Sequence, residues 1–302
     1  MGRAFGFHPL ALEDCLHRNQ RPKIEDYEAY VFAVLHAFRS DPPLHPSPLK
    51  GEGRVGVDEL HVFLSQRFLV TVHAPPSEPL NRIWERCGKE PELLAHGPSF
   101  ALHLLSDAIV DAYFPLLDEL GEEIDELEDA VIRSPTRGRL NRIFALKKDL
   151  ILLRKVISPQ REVYNALSRR DYPFIDQKTA LYFRDVHDHL LRASETIESY
   201  RDLLGYILEA HLTTISNRLN DIMKRLTIIA TIFMPLSFIV GFFGMNFALI
   251  PWGSRILFLL TLLAVFALPF GMFVWFAKKG WLRKEAGPEV LRPRRQKNHP
   301  GP

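Results

Sequence analysis

The sequence is poor in cysteine. Cys15 and Cys87 are the only two in 302 residues, and they form no CxxC pair. That spacing argues against a disulfide framework or a zinc ribbon and suits a reducing compartment. Net charge is nearly absent as well: 38 Lys and Arg face 36 Asp and Glu, so no general affinity for nucleic acid follows. A third absence is local. No Asp, Glu, Lys or Arg stands between Arg225 and Arg255, and none between Arg255 and Lys278. Each run reaches the roughly 20 apolar residues that cross a bilayer. The two gaps predict an integral membrane protein with two spans and a large N-terminal part outside the lipid. The opening MGRAFGFHPLALEDC has no basic stretch followed by an apolar one, so no signal peptide is expected. Enzymatic motifs are lacking too. The nearest approach is HDH at 187–189, whose histidines are two apart, on different faces of a helix, with no partner cluster in view.

What is present sets the orientation. Lys224 and Arg225 precede the first span, and Lys278, Lys279, Arg283 and Lys284 follow the second, while the connection holds only Arg255. Positive residues stay inside, which places both termini in the cytoplasm. The expected location is the inner (plasma) membrane. In the N-terminal part, EAYVFAVLHAF (28–38), LHVFL (60–64) and FLVTVHA (68–74) read as strands, the last two as a hairpin around SQR. The Pro- and Gly-dense stretch 40–59 reads as a surface insertion. From about Ser99 the pattern is helical. Leu116, Leu120, Ile124, Leu127 and Val131 recur at steps of three and four, with acids on the remaining faces as a solvated surface. RLNRIFALKKDLILLRKVI (139–157) is its basic counterpart and predicts an antiparallel helical hairpin. A third helix starts near Thr179 and continues without a break into the first span.

On that helix one stripe reads Asn220, Met223, Leu226, Ala230, Met234, Ser237, Gly241 and Gly244, small, polar or flexible against bulky neighbours. Close helix packing explains such a stripe; so does a pore shared by several copies. Asn220 and Asn246 at opposite ends favour the pore, because rings of neutral oxygens at both mouths suit a cation path. Pro235 removes one helix hydrogen bond and frees the Thr231 carbonyl. Mg2+ gives up water reluctantly. An amide ring can hydrogen-bond that water without stripping it, whereas bare carboxylates would hold the ion and slow its exit.

LTIIATIFMPLSFIVGFFGMNF (226–247), with its Gly-Met-Asn triplet closing the first of two C-terminal spans, resembles the CorA metal-ion transporter family. FGFHPLALEDCLHRNQRPKIEDYEAYVFAVL (5–35) and YFRDVHDHL (182–190) resemble that family's cytoplasmic domain. The resemblance implies an α+β cytoplasmic domain, long stalk helices and two C-terminal transmembrane helices, assembled as a homopentameric channel. The organisation expected is a partial α/β domain over 1–98, a helical region and stalk over 99–225, and a pore helix over 226–247. A short outer loop over 248–254, a second span over 255–277 and a basic cytoplasmic tail over 278–302 complete it. The implied cargo is Mg2+, with Co2+ or Ni2+ beside it, and no organic cofactor. Gly244, Met245 and Asn246 would form the selectivity filter. Asn220, Met223, Leu226, Ala230, Met234, Ser237 and Gly241 would line the path and its gate. Glu13, Asp14, Asp107 and Asp185 would bind regulatory Mg2+ between subunits; ordinary salt bridging is the alternative for these four.

Two departures from the family pattern stand out. The chain begins where the family's cytoplasmic domain is already under way, so an incomplete sheet is expected. The loop FALIPWGSR has no acid, and Arg255 opposes cation capture at the outer mouth. A Zn2+ transporter of the same superfamily and a non-conducting membrane scaffold are the rival functions.

Overall fold

The computed structural model describes residues 5–17, 20–40, 55–74, 78–169, 172–245 and 253–281. The chain divides into a unit ending at Thr214 and a second unit from Ile215 onward. In the first unit, four strands form an antiparallel meander in the order β1 (Lys23–Asp26), β2 (Val31–Ser40), β3 (Val55–Leu64) and β4 (Leu69–His73). The apolar residues of β2 follow no simple alternation because both faces of the sheet are covered. Val31, Ala33, Leu35, Leu60, Val62 and Leu64 join the main core with the helices that follow. Phe32, Val34 and Phe63 point the other way and pack with Tyr30, Phe7 and Ala11, the last on helix α1 (Pro9–Leu16). Phe7 lies 4.0 Å from the Phe63 ring centroid, stacked on it.

The remaining helices among the described residues are α2 (Glu78–Lys89), α3 (Glu92–Ala95), α4 (Pro98–Asp111), α5 (Tyr113–Arg133), α6 (Arg137–Arg169), α7 (Gln177–Phe243) and α8 (Arg255–Lys278). Pro98 sits in the first turn of α4, where its missing N–H leaves no bond unmade. Leu120, Ile124, Leu127 and Val131 of α5 are buried, as their spacing requires, and Arg142 of α6 pairs with Glu123 of α5. The acidic and basic helices therefore meet, with this ion pair across their contact. Asp176 starts α7 by accepting a hydrogen bond from the Thr179 amide at 3.0 Å. Gly121 lies against Tyr200 of α7, where a Cβ would meet the ring at 2.9 Å.

A buried ring of side chains ties β2 to the helices. The His36 amide donates to Gln160 Oε1 at 2.8 Å, Gln160 Nε2 donates to the Tyr113 hydroxyl at 2.8 Å, and that hydroxyl donates to the His36 carbonyl. Strand β1 pairs only with Val31–Val34, so these side chains take up main-chain groups of β2 that no strand reaches.

Three expectations need correction. Strand β3 begins at Val55, five residues inside the stretch expected as an insertion, because VGVDE already alternates against β2. Its partner β2 runs on to Ser40, and residues 41–54 lie outside the described residues. Strand β1, KIED, was not expected: three charged residues in four hide a short edge strand.

Candidate functional site: a carboxylate–imidazole cluster and an uncharged helix

Asp107 and Asp111 are one helical turn apart near the end of α4, and His189 reaches them from α7. One ligand atom from each lies within 4.8 Å of the others. His189 Nδ1 is 3.6 Å from Asp111 Oδ1, and its Nε2 is 3.7 Å from Asp185 Oδ2. Burial raises the pKa of Asp107 above the ordinary carboxylate value, and the charge of Asp111 adds to this. The cluster thus gathers carboxylates around one partly buried member, Asp107, while Asp111 and Asp185 stay open to solvent. His189 Nδ1 is buried without a hydrogen-bond partner. Crowded carboxylates beside an orphaned nitrogen fit a divalent cation. The oxygens suit Mg2+, and the nitrogen suits Co2+, Ni2+ or Zn2+. His103, stacked on Tyr182 at 4.7 Å, borders the site; burial lowers its pKa and keeps the ring neutral beside Asp107.

Of the four expected metal residues, the chain brings Asp107 and Asp185 together. Asp111 and His189 were missed, although Asp107/Asp111 and Asp185/His189 each carry the four-residue spacing of one helix face. His189 belongs to the HDH stretch, so the expectation that it lacks a partner cluster is wrong: its partners come from a helix some eighty residues earlier. Asp14 sits elsewhere, on α1, accepting from Lys23 Nζ at 2.7 Å. Burial works against the Lys23 charge, but its bonds to Asp14 and Glu25 outweigh this and raise its pKa. A cation at Asp14 must therefore displace an ammonium group. Glu13, one residue earlier, is exposed.

In the second unit, the uncharged stretch of α7 exposes the stripe. Met223 and Leu226 are each 58% exposed and Met234 is 72% exposed; the off-stripe Ile229, Phe233 and Phe238 are exposed as well, and Ile228 is buried. Asn220, Ala230, Ser237, Gly241 and Gly244 are exposed too. The stripe is therefore not consumed by packing within one chain. Leu226, Ala230 and Met234 border an open groove of about 470 Å3 that also touches Met272 of α8. The Gly244 amide donates to the Val240 carbonyl at 2.9 Å, and Met245, half exposed, follows. Asn246 lies outside the described residues.

Among the described residues, three helical stretches are long and apolar enough to cross a membrane: Pro98–Arg133, Gln177–Phe243 and Arg255–Lys278. The first has half of its apolar window buried in the protein core, against 6% and 0% for the other two. Its apolarity is accounted for by Leu102, Leu105, Ile109 and Tyr113 in that core. Lys279 Nζ lies 4.8 Å from the Trp275 ring at the end of α8, a cation–π contact.

Comparison with known proteins identifies the family. The chain is 36% identical over 280 residues to the putative metal ion transporter YfjQ of Bacillus subtilis, covering 92% of this chain and 83% of that one. It is 38% identical over 288 residues to the cobalt/magnesium transport protein CorA of Thermotoga maritima, covering 93% and 79%. The complete structure of the CorA magnesium transporter from Methanocaldococcus jannaschii superposes with a TM-score of 0.82 at 22% identity, covering 93% of this chain and 86% of that one. A family model for the CorA-like Mg2+ transporter protein matches residues 1–279. The chain belongs to the CorA-like Mg2+ transporter family.

Proposed function

We propose that this protein is one subunit of a divalent-cation channel that takes up Mg2+, with Co2+ or Ni2+ as further cargo, across the inner membrane. The observation that carries the reading is the exposed stripe on the charge-free part of α7, in a member of this family. A single copy of the stripe cannot enclose a path, so the reading requires a closed ring of subunits, five in number. Residues 226–247 and 255–277 then span the bilayer, 248–254 face outward, and both termini lie in the cytoplasm. Gly244, Met245 and Asn246 form the entrance ring, which holds the water shell of the cation. Asn220, Met223, Leu226, Ala230, Met234, Ser237 and Gly241 line the path, with the Met and Leu positions as its hydrophobic constriction.

Regulation rests on the cluster. Asp107, Asp111 and Asp185 repel one another, more weakly than buried charges would because Asp111 and Asp185 are exposed. A bound cation offsets that repulsion and favours docked subunits, with Glu13 and Asp14 contributed across the boundary. Asp185 and the constriction residues Met223 and Leu226 belong to the same helix, α7. Loss of the ion therefore loosens the element that carries the gate, and internal Mg2+ limits its own entry.

Uptake into proteoliposomes, comparing Mg2+ with Zn2+ at two pH values, tests the reading. The comparison matters because His189 gives the cluster a donor suited to Zn2+ as well. Asn246→Ala abolishes uptake with the oligomer intact, and Asn246→Asp impairs it by holding the ion too firmly. Wild-type flux through the alanine variant refutes the pore. Uptake of no ion identifies a scaffold, and native mass spectrometry showing only monomers or dimers refutes the ring.

A further inference from the structure

The basic stretch after the second span belongs to neither the stripe nor the cluster, and the end of α8 shows how it leaves the helix. The Trp281 amide donates to the Phe276 carbonyl at 3.1 Å, and the Gly280 amide to the Ala277 carbonyl at 3.1 Å. With Gly280 at φ +76°, this is the left-handed cap that ends a helix at a defined residue. Trp281 folds back on the last turn, its ring centroid 5.5 Å from that of Phe276, which is only 4% exposed.

Trp275 lies against the same Phe276 ring, at 5.0 Å, so two indoles flank one buried side chain. Both stay exposed, each with an apolar body and one N–H donor. Lys278 and Lys279 stand between them in the sequence, exposed as well, and no carboxylate pairs with either among the described residues. From Lys278 to Lys297 the sequence carries eight Lys and Arg against two acids, Glu285 and Glu289, a surplus of six positive charges. The family model ends at residue 279, so most of this charge lies beyond what that model describes. Residues 282–302 lie outside the described residues and enter through their charge alone.

We propose that the segment 278–297 binds the headgroups of anionic phospholipids in the leaflet where α8 ends. The proposal rests on the reading of α8 as a membrane span. Indoles with an apolar body and a polar edge settle at the level of the headgroups, so Trp275 and Trp281 fix the depth at which the chain leaves the helix. The surplus positive charge begins there, within a Debye length of the surface, where anionic lipid attracts it and zwitterionic lipid does not. The end of the second span is thereby tied to the charge of the lipid around it, whichever cation the protein conducts.

The test uses the full chain in lipid nanodiscs of phosphatidylcholine, with and without phosphatidylglycerol. Chymotrypsin cuts after Leu291, and mass spectrometry follows the rate at which that cut appears. Phosphatidylglycerol is expected to slow the cut about 10-fold at low salt, and high salt to restore it. Lys284→Gln with Arg294→Gln, Arg295→Gln and Lys297→Gln leaves Leu291 and Arg292 at the cut unchanged. This variant is expected to bring the two rates within about 2-fold of each other. Both faces of a disc are open to the protease, so the result does not depend on sidedness or on conduction. Equal rates for the unmodified chain in the two lipids, protection that survives high salt, or protection that survives the four substitutions overturns the proposal alone. A chain that fails to enter the discs refutes the spans of the proposed function and this proposal with them.

Discussion

Gln160→Met measures what the ring around His36 contributes. Methionine matches the length of glutamine and fills the same buried position, but it can neither donate to Tyr113 nor accept a hydrogen bond from the His36 amide with comparable strength. The His36 N–H has no other strand to turn to, because β1 pairs no further along β2 than Val34. One orphaned buried donor costs about 1–3 kcal/mol, and the lost second bond of the Tyr113 hydroxyl adds about 0.5–1.5 kcal/mol. The sum is about 1.5–4.5 kcal/mol. At about 2–4 °C per kcal/mol for a domain of this size, the melting temperature falls by about 3–18 °C. Thermal unfolding in mild detergent, followed by near-ultraviolet circular dichroism, reads the core around Tyr113. Tyr113→Phe breaks the same ring at another point, so the double variant loses less than the two single losses combined. A Gln160→Met protein melting within about 2 °C of the unmodified one, or strictly additive losses, refutes the reasoning.

Asp111→Asn with His189→Gln removes two donors of the cluster, so Mg2+ or Co2+ protects the region before Thr214 from protease less well; unchanged protection rules out a cation role there. Gly121→Ala drives a methyl group into Tyr200 and costs about 1–3 kcal/mol, which Tyr200→Ala in the same chain relieves; equal melting of Gly121→Ala and the unmodified protein contradicts the packing. The Asp176 carboxyl, bonded by the Thr179 hydroxyl and amide, has a pKa below the ordinary value near 3.8. A depressed carboxyl adds stability that is fully present above that value and is lost as pH falls through the folded pKa. Asp176→Ala therefore costs about 1 kcal/mol at neutral pH, and the gap narrows in acid; a gap independent of pH would show that the cap carries no charge-dependent stabilisation.

Much of this was legible because the strictest rules are local. Hydrocarbon tolerates few charges, so the gaps after Arg225 and Arg255 show directly in the composition. The five-position periodicity from Leu116 to Val131 gave α5, since one helix face must be apolar whatever it packs against. The cluster was half legible. Asp107 and Asp185 matched family motifs, but Asp111 and His189 acquire meaning only when α4 and α7 meet, and no local pattern encodes that meeting. The same holds for Gln160, a polar residue inside a basic helix whose partner lies 124 positions earlier. Strand β1 was hidden for a different reason: an edge strand keeps one side toward solvent and can carry Lys23, Glu25 and Asp26 without penalty.

That short strand has a consequence for how chains can associate. Beyond Lys23, β2 would present bare main-chain groups, the kind of margin onto which a stray strand from another molecule can zip. Tyr113 and Gln160 occupy the place where such an intruder would dock, and they come from two different helices. An incoming strand must displace both before it can bond to the main chain of His36. At that point the margin is blocked against strand exchange by side chains held from within.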